Sequence, residues 1–364
     1  MDSRSTYLKI LDQLLTLPGD GVFTIHTGKD KRERLLKKYY QTSKIEEARL
    51  KWLESIKNPS TKVPWILGIP SDNGGGIHRG ANWGPLAIRE HMHLSQNHFV
   101  DLGDVRVIPH LLHDKYLNEK TITDCQKALY GKKNKLPVSP LSITEKVLDE
   151  LYRKYPDSRI LGLGGDHSVS YPLVRSWLKS RKNLRNVAIL HFDAHTDLLE
   201  KRLGIDLCFG TWAYQILEDL SSRKHLLQVG IRSSGKSRKY WQNEIGVEQF
   251  WANNVLNWGP EKTYQKILRY FKKINIEEIY ISFDIDALDI KYASATGTPE
   301  AGGLIPPDCA VIIGLLKNDF IISGADLVEV APYVLQENVK LWDHESSLTV
   351  AAQIAQLLLS VLTK

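Results

Sequence analysis

The stretch Val187-Ala188-Ile189-Leu190-His191-Phe192-Asp193-Ala194-His195-Thr196-Asp197 decides the fold and points to the chemistry. Its first part is a short, nearly continuous apolar run. A strand apolar on both faces belongs in the middle of a sheet covered by helices. Its second part is Asp-x-His-x-Asp. In extended chain, residues at i, i+2 and i+4 point the same way, so Asp193, His195 and Asp197 line one side.

The pattern recurs on either side. The run Ile160-Leu161-Gly162-Leu163 leads into Gly164-Gly165-Asp166-His167-Ser168, and Ile279-Tyr280-Ile281-Ser282 leads into Phe283-Asp284-Ile285-Asp286-Ala287-Leu288-Asp289. Residues 65–68, 226–229 and 324–328 are further strand candidates, and residues 144–155, 170–180 and 263–273 have helical spacing. Strands alternating with helices predict an α/β fold with a mostly parallel sheet, whose sites lie at the carboxyl ends of the strands. Residues 1–62 differ. They are charge-rich, with helical spacing at Tyr7, Leu8, Leu11, Leu14 and Leu15 and again at Ile45, Ala48, Trp52, Leu53 and Ile56, until Asn58-Pro59-Ser60 breaks it. This predicts an N-terminal helical extension (1–62) packed on a main domain (63–364).

One Asp at a strand end ordinarily caps a helix or forms a turn. Six such residues on three strand ends (His167, Asp193, His195, Asp197, Asp284 and Asp286) are not explained by capping. Carboxylates crowded this way repel one another unless cations sit among them. Oxygen ligands with some imidazole suit Mn²⁺, other hard divalent ions or Zn²⁺. One Asp can bridge two ions about 3.5–4 Å apart.

The bulk properties narrow the class. A 42% hydrophobic and 25% charged chain fits a globular protein. The net charge of +6 comes largely from residues 29–38 and 175–185, which read as solvated helix faces, so no nucleic-acid partner is expected. Cys125, Cys208 and Cys309 are too scattered for a disulfide framework or a zinc–thiolate site. No apolar stretch is long enough for a membrane span and no secretory signal is evident, so a cytoplasmic protein is expected.

Taken together the motifs resemble the arginase, agmatinase and formimidoylglutamase family, the ureohydrolases. The likeness runs from Val63 to the C-terminus. It includes Gly68-Ile69-Pro70-Ser71-Asp72, Arg79-Gly80-Ala81, the three clusters above, Ala295-Thr296-Gly297-Thr298-Pro299 and Glu329-Val330-Ala331-Pro332. The resemblance implies a three-layer α/β/α fold and two Mn²⁺ ions, with Ni²⁺ or other divalent ions as alternatives. One ion would be held by His167, Asp193, Asp197 and Asp284, the other by His195, Asp193, Asp284 and Asp286, with Asp193 and Asp284 bridging. Glu329 would anchor a guanidinium, Asp197 would pass a proton to the departing nitrogen, and Asp166 and Asp289 would orient ligands or loops. The implied partners are a small guanidino or formimino substrate and, in a homo-oligomer, two or five further copies of the chain (a trimer or hexamer).

The match is incomplete. Many members carry a His-Gly pair where this chain has Phe209-Gly210, and an aromatic ring cannot relay a proton, a function typically worth about 10²–10⁴-fold. Formimidoylglutamase-like members also depart from His at this position. Phe209 and Trp212 are expected to narrow the pocket toward a small or flat substrate. Arg232 or Lys236 is a candidate to meet a substrate carboxylate. Two other readings stand beside the hydrolase: a one-zinc deacetylase-type amidohydrolase, opposed by the two-ion ligand set, and a non-catalytic metal-binding relative, supported only by Phe209.

Overall fold

In this computed structural model, residues 3–21, 28–74, 76–93, 98–332 and 344–363 are described. The strands are β1 (Leu15–Thr16), β2 (Trp65–Ile69), β3 (Val100–Val105), β4 (Ile160–Gly164), β5 (Val187–Phe192), β6 (Leu226–Ile231), β7 (Glu248–Trp251), β8 (Glu278–Asp284) and β9 (Ile321–Val328). They form one sheet in the order β1-β3-β2-β4-β9-β8-β5-β6-β7. Only β1 runs antiparallel, against β3; the other pairings are parallel. In β2, β4, β5 and β6 every residue is buried, as expected of strands covered on both faces. The α/β class expected from the sequence is the one observed.

All six apolar runs form strands, whereas β1, β3 and β7 were not foreseen. The helix Ser170–Ser180 has the expected bounds. The other two start earlier, at Pro140 and Pro260. Proline sits well in a first turn, where its missing N–H is not needed, so it opens these helices instead of excluding them.

Before β2 the chain forms α1 (Ser3–Leu14), α2 (Lys29–Tyr40) and α3 (Ile45–Lys57). Leu11, Leu14, Leu36, Trp52 and Ile56 are wholly buried in an apolar core continuous with that of the sheet. A polar knot ties the same region down. Arg89, on α4 (Gly84–His91), reaches both oxygens of Asp101 at 2.9 Å and also contacts Asp104. Asp104 Oδ2 accepts the backbone N–H groups of Gly19 (2.9 Å) and Gly21 (3.2 Å).

The register places the site. Pairing Leu163 with Leu327, Asp284 with Val328 and Phe192 with Phe283 brings the carboxyl ends of β4, β9, β8 and β5 side by side. Gly165 permits the close turn after β4: a Cβ there would fall 1.8 Å from the Ser71 carbonyl oxygen. Asp166 N–H instead donates to that oxygen at 2.9 Å.

Candidate metal centre

Each strand end delivers its side chain by a local device. His167 opens a single 3-10 turn after β4, capped by Asp166, whose Oδ1 accepts the Ser168 N–H at 2.9 Å. Asp284 ends β8 and caps the next turn, accepting the Asp286 N–H at 2.8 Å. Asp193 follows β5 and accepts the His195 N–H at 2.6 Å. Glu329 follows β9. Its φ of 62° and the 50° of Asp197 lie in the left-handed region that side-chain-bearing residues avoid. Such conformations cost on the order of 1–3 kcal/mol and persist only where the surroundings impose them. At Glu329, its N–H donates to the Gly165 carbonyl at 2.8 Å.

The side chains converge. His167 Nδ1 lies 3.2 Å from Asp193 Oδ2, 3.1 Å from Asp197 Oδ2 and 3.1 Å from Asp284 Oδ2. It is buried and, despite these neighbours, makes no well-formed hydrogen bond. The opposite ring nitrogen is engaged elsewhere. Ser282 Oγ donates to Asp326 Oδ1 (2.8 Å) and therefore accepts from His167 Nε2–H (3.1 Å). With Nε2 so engaged, Nδ1 is the nitrogen turned to the three carboxylates, which outweigh burial and raise its pKa well above the ordinary value; the proton held there stands where a metal ion would bind. Beside it, His195 Nδ1 stands 3.1 Å from Asp286 Oδ2 and 3.5 Å from Asp193 Oδ1. Asp193 belongs to both groups of potential ligands.

The electrostatics match an unmet demand for positive charge. Burial, then Asp286 and Asp193, push the Asp284 carboxyl well above its ordinary range. Burial and Asp193 raise Asp197; burial and Asp166 raise Glu329. Burial alone would lower His195, but its bonds to Asp193 and Asp286 lift it to about 12. Protons are thus retained where cations are missing. The donor set of oxygens and imidazoles, with the orphaned Nδ1, fits divalent metal.

A cavity of about 650 Å³ opens onto this cluster, lined by His167, His195, Asp197, Asp284 and Glu329 together with Phe209, Lys236 and Thr298.

The model of the arginase family matches residues 64–360. The chain belongs to the arginase family. It is a hydrolase of non-peptide C–N bonds in linear amidines. Among its relatives is an agmatinase of Bacillus anthracis, 31% identical over 290 residues, covering 79% of this chain and 87% of that enzyme. The mitochondrial guanidino acid hydrolase of Homo sapiens is 32% identical over 287 residues, covering 76% and 74%. The crystal structure of formimidoylglutamase from Bacillus subtilis superposes with a TM-score of 0.63 at 21% identity, covering 82% of this chain and 87% of that one, a likeness of fold.

Within this arginase-family site, the remaining expected residues take different places. Phe209 stands in the cavity wall, with the Arg202 guanidinium 4.5 Å from its ring centre. Trp212, expected to narrow the pocket, does not line it. It is wholly buried, lies against the His167 ring at 4.7 Å and donates Nε1–H to Asp197 Oδ2 at 2.9 Å. Arg232, expected to meet a substrate, is also absent from the cavity wall. Its guanidinium donates to backbone carbonyls, among them Asp286 (2.7 Å), Leu288 (3.0 Å) and Ala301 (3.0 Å), and so holds the loops behind the site. Asp289 steadies the same loops by accepting the Gly302 and Gly303 N–H groups. Sequence reading missed Asp326 and His191. Both carried a signal: each is the one titratable residue of its strand.

Proposed function

We propose that this enzyme is a binuclear metal hydrolase that releases urea or formamide from a small guanidino or formimino compound. Mn²⁺ is the expected ion, Ni²⁺ the nearest alternative. His167, Asp193, Asp197 and Asp284 would hold one ion; His195, Asp193, Asp284 and Asp286 would hold the other. The observation that carries the reading is His167 Nδ1, buried without a hydrogen bond and within 3.2 Å of three carboxylate oxygens.

When bound, such a metal pair supplies a water acidified enough to act as a nucleophile near neutral pH. The chain's own residues do the rest. Glu329 is held by the His167 N–H at 2.7 Å and borders the cavity, which supports a role in orienting a substrate cation over the cluster. The Trp212 bond keeps the Asp197 carboxylate turned toward His167, where it can also carry a proton to the departing nitrogen. Thr298 Oγ donates to Asp286 Oδ2 at 3.0 Å and fixes the other end of the cluster. With Phe209 in the wall instead of a histidine, the ligand carboxylates are left as the proton carriers.

The test is release of urea and formamide by Mn²⁺-loaded protein offered arginine, agmatine, guanidinobutyrate, guanidine and formiminoglutamate, with metal counted per chain. Turnover of one of these with two ions per chain is expected. A single zinc per chain would favour the deacetylase reading, and metal without turnover the non-catalytic one.

A further inference from the structure

His191 touches the cluster, yet nothing in the reaction outlined above uses it. It is wholly buried, and its Nε2 lies 2.7 Å from Asp193 Oδ2. Behind it a line of polar side chains crosses three neighbouring strands, in which His191 of β5 is the register partner of Gln228 of β6, and Gln228 of Gln249 of β7. Gln228 Nε2 lies 3.0 Å from His191 Nδ1 and 2.6 Å from the Thr196 carbonyl. Gln249 Nε2 lies 2.8 Å from Gln228 Oε1, and Trp251 Nε1 lies 2.9 Å from Gln249 Oε1.

Every link has one direction. An indole N–H can only donate, so Gln249 shows its oxygen to Trp251 and its NH₂ to Gln228. A backbone carbonyl can only accept, so Gln228 turns its NH₂ toward Thr196 and gives its second amide hydrogen to His191 Nδ1. The two ends of the line fix the same orientation independently. Nδ1 therefore accepts, the ring proton sits on Nε2, and Nε2–H donates to Asp193 Oδ2.

We propose that His191 is a positioning residue for Asp193, locked as the Nε2–H tautomer by Trp251, Gln249 and Gln228, and not itself a metal ligand. Its nitrogen lies within 4.8 Å of ligand atoms of His167, Asp193 and Asp197, so distance alone would admit it to the ligand set. The hydrogen on Nε2 excludes it. Asp193 is then gripped from both sides, at Oδ1 by the His195 N–H (2.6 Å) and at Oδ2 by His191. A carboxylate shared between two ions must have its rotation fixed, and supporting hydrogen bonds provide that. The proposal rests on the metal reading only in taking Asp193 as a ligand.

The test has two arms on the full chain. ¹⁵N NMR of histidine-labelled protein, metal-free and Zn²⁺-loaded, is expected to show His191 as the neutral Nε2–H tautomer in both states, its signals assigned by their loss in His191→Gln. An Nδ1–H tautomer or a metal-coordinated nitrogen overturns the proposal. In calorimetry, His191→Phe should weaken Mn²⁺ binding by about 10–100-fold, as loss of outer partners does. His191→Gln, which keeps an N–H donor, should recover most of that. Gln249→Glu, which cannot donate to Gln228, should weaken binding without touching the cluster, and it covers the case in which His191→Phe does not fold. If wild-type protein takes up Mn²⁺ and these variants bind it equally well, His191 does not position Asp193. If wild-type protein binds no metal, the metal reading fails, and the NMR arm still judges the tautomer.

Discussion

Two clusters of buried carboxylates sit on the same sheet and meet opposite fates. At β3, Asp101 and Asp104 face Arg89, and their oxygens also accept the backbone N–H groups of Gly103, Gly19 and Gly21. The chain supplies its own cation there. Burial disfavours a charged Arg89, but the two carboxylates outweigh it and hold the proton more firmly than usual. At the ends of β4, β5 and β8, Asp193, Asp197, Asp284 and Asp286 have imidazoles and no arginine or lysine as ion-pair partners among the described residues, and His167 Nδ1 is left without a hydrogen bond. The same acid is structural where the sequence provides a countercharge, and functional where that charge must come from outside the chain.

The difference can be broken from either side. Arg89→Leu removes the internal cation and leaves two buried carboxylates unpaired, a loss expected to be about 3–5 kcal/mol in urea unfolding. Turnover per folded molecule should be unchanged, since Arg89 is not among the cavity-lining residues. Unaltered stability would show that the closed cluster does not depend on its cation. Asp193→Asn makes the converse change with almost no change of volume. It should lower kcat/KM by more than about 100-fold, beyond what outer partners contribute, and reduce the metal count. In metal-free protein it is Asp284→Asn that should leave stability unchanged or raised, because burial, Asp286 and Asp193 already disfavour the charge it removes. A destabilised metal-free variant would mean that the open cluster is as self-satisfied as the closed one.

The two clusters were not equally readable. The metal centre announced itself because its acids follow apolar strands directly, so local sequence placed Asp193, Asp284 and His167 at neighbouring strand ends. The closed cluster was invisible. β3 reads Val-Asp-Leu-Gly-Asp-Val, and its acids become core residues only through Arg89, which lies on another element. β7 was missed for the same reason: Gln249 is fully buried, but its partner Gln228 comes from a strand paired in space and distant in sequence. Arg232 and Trp212 were visible as residue types but not in direction. The backbone turns that aim the Arg232 guanidinium at carbonyls, and the Trp212 indole at Asp197, are set by tertiary packing. Apolar periodicity records which chain segments are buried; it does not record who satisfies a buried polar group.

The smallest expected effect concerns pH. In the metal-free open cluster, Asp197, Asp284 and Glu329 are held above their ordinary range, and His195 is lifted to about 12. Groups raised in the folded state bind more protons than in the unfolded chain. The stability they lend is complete at low pH and is lost as pH rises through the folded-state values. For His195 that window opens at 6.5 and extends to about 12; for the carboxyls it opens in the ordinary range near 4. Metal must displace these protons, so uptake should tighten about tenfold per pH unit for each proton released. Between about pH 6 and pH 8 the metal-free protein should therefore melt lower as pH rises, while the gain in Tm on adding Mn²⁺ grows. Melts with and without Mn²⁺ across that range measure both slopes. The closed cluster lacks the metal-linked part of this term: Arg89 keeps its proton throughout, and burial raises Asp101 only against the opposing pull of Arg89. A metal-induced shift in Tm that is flat with pH would mean that the open cluster holds no displaceable protons, and the contrast between the two would then rest on Arg89 alone.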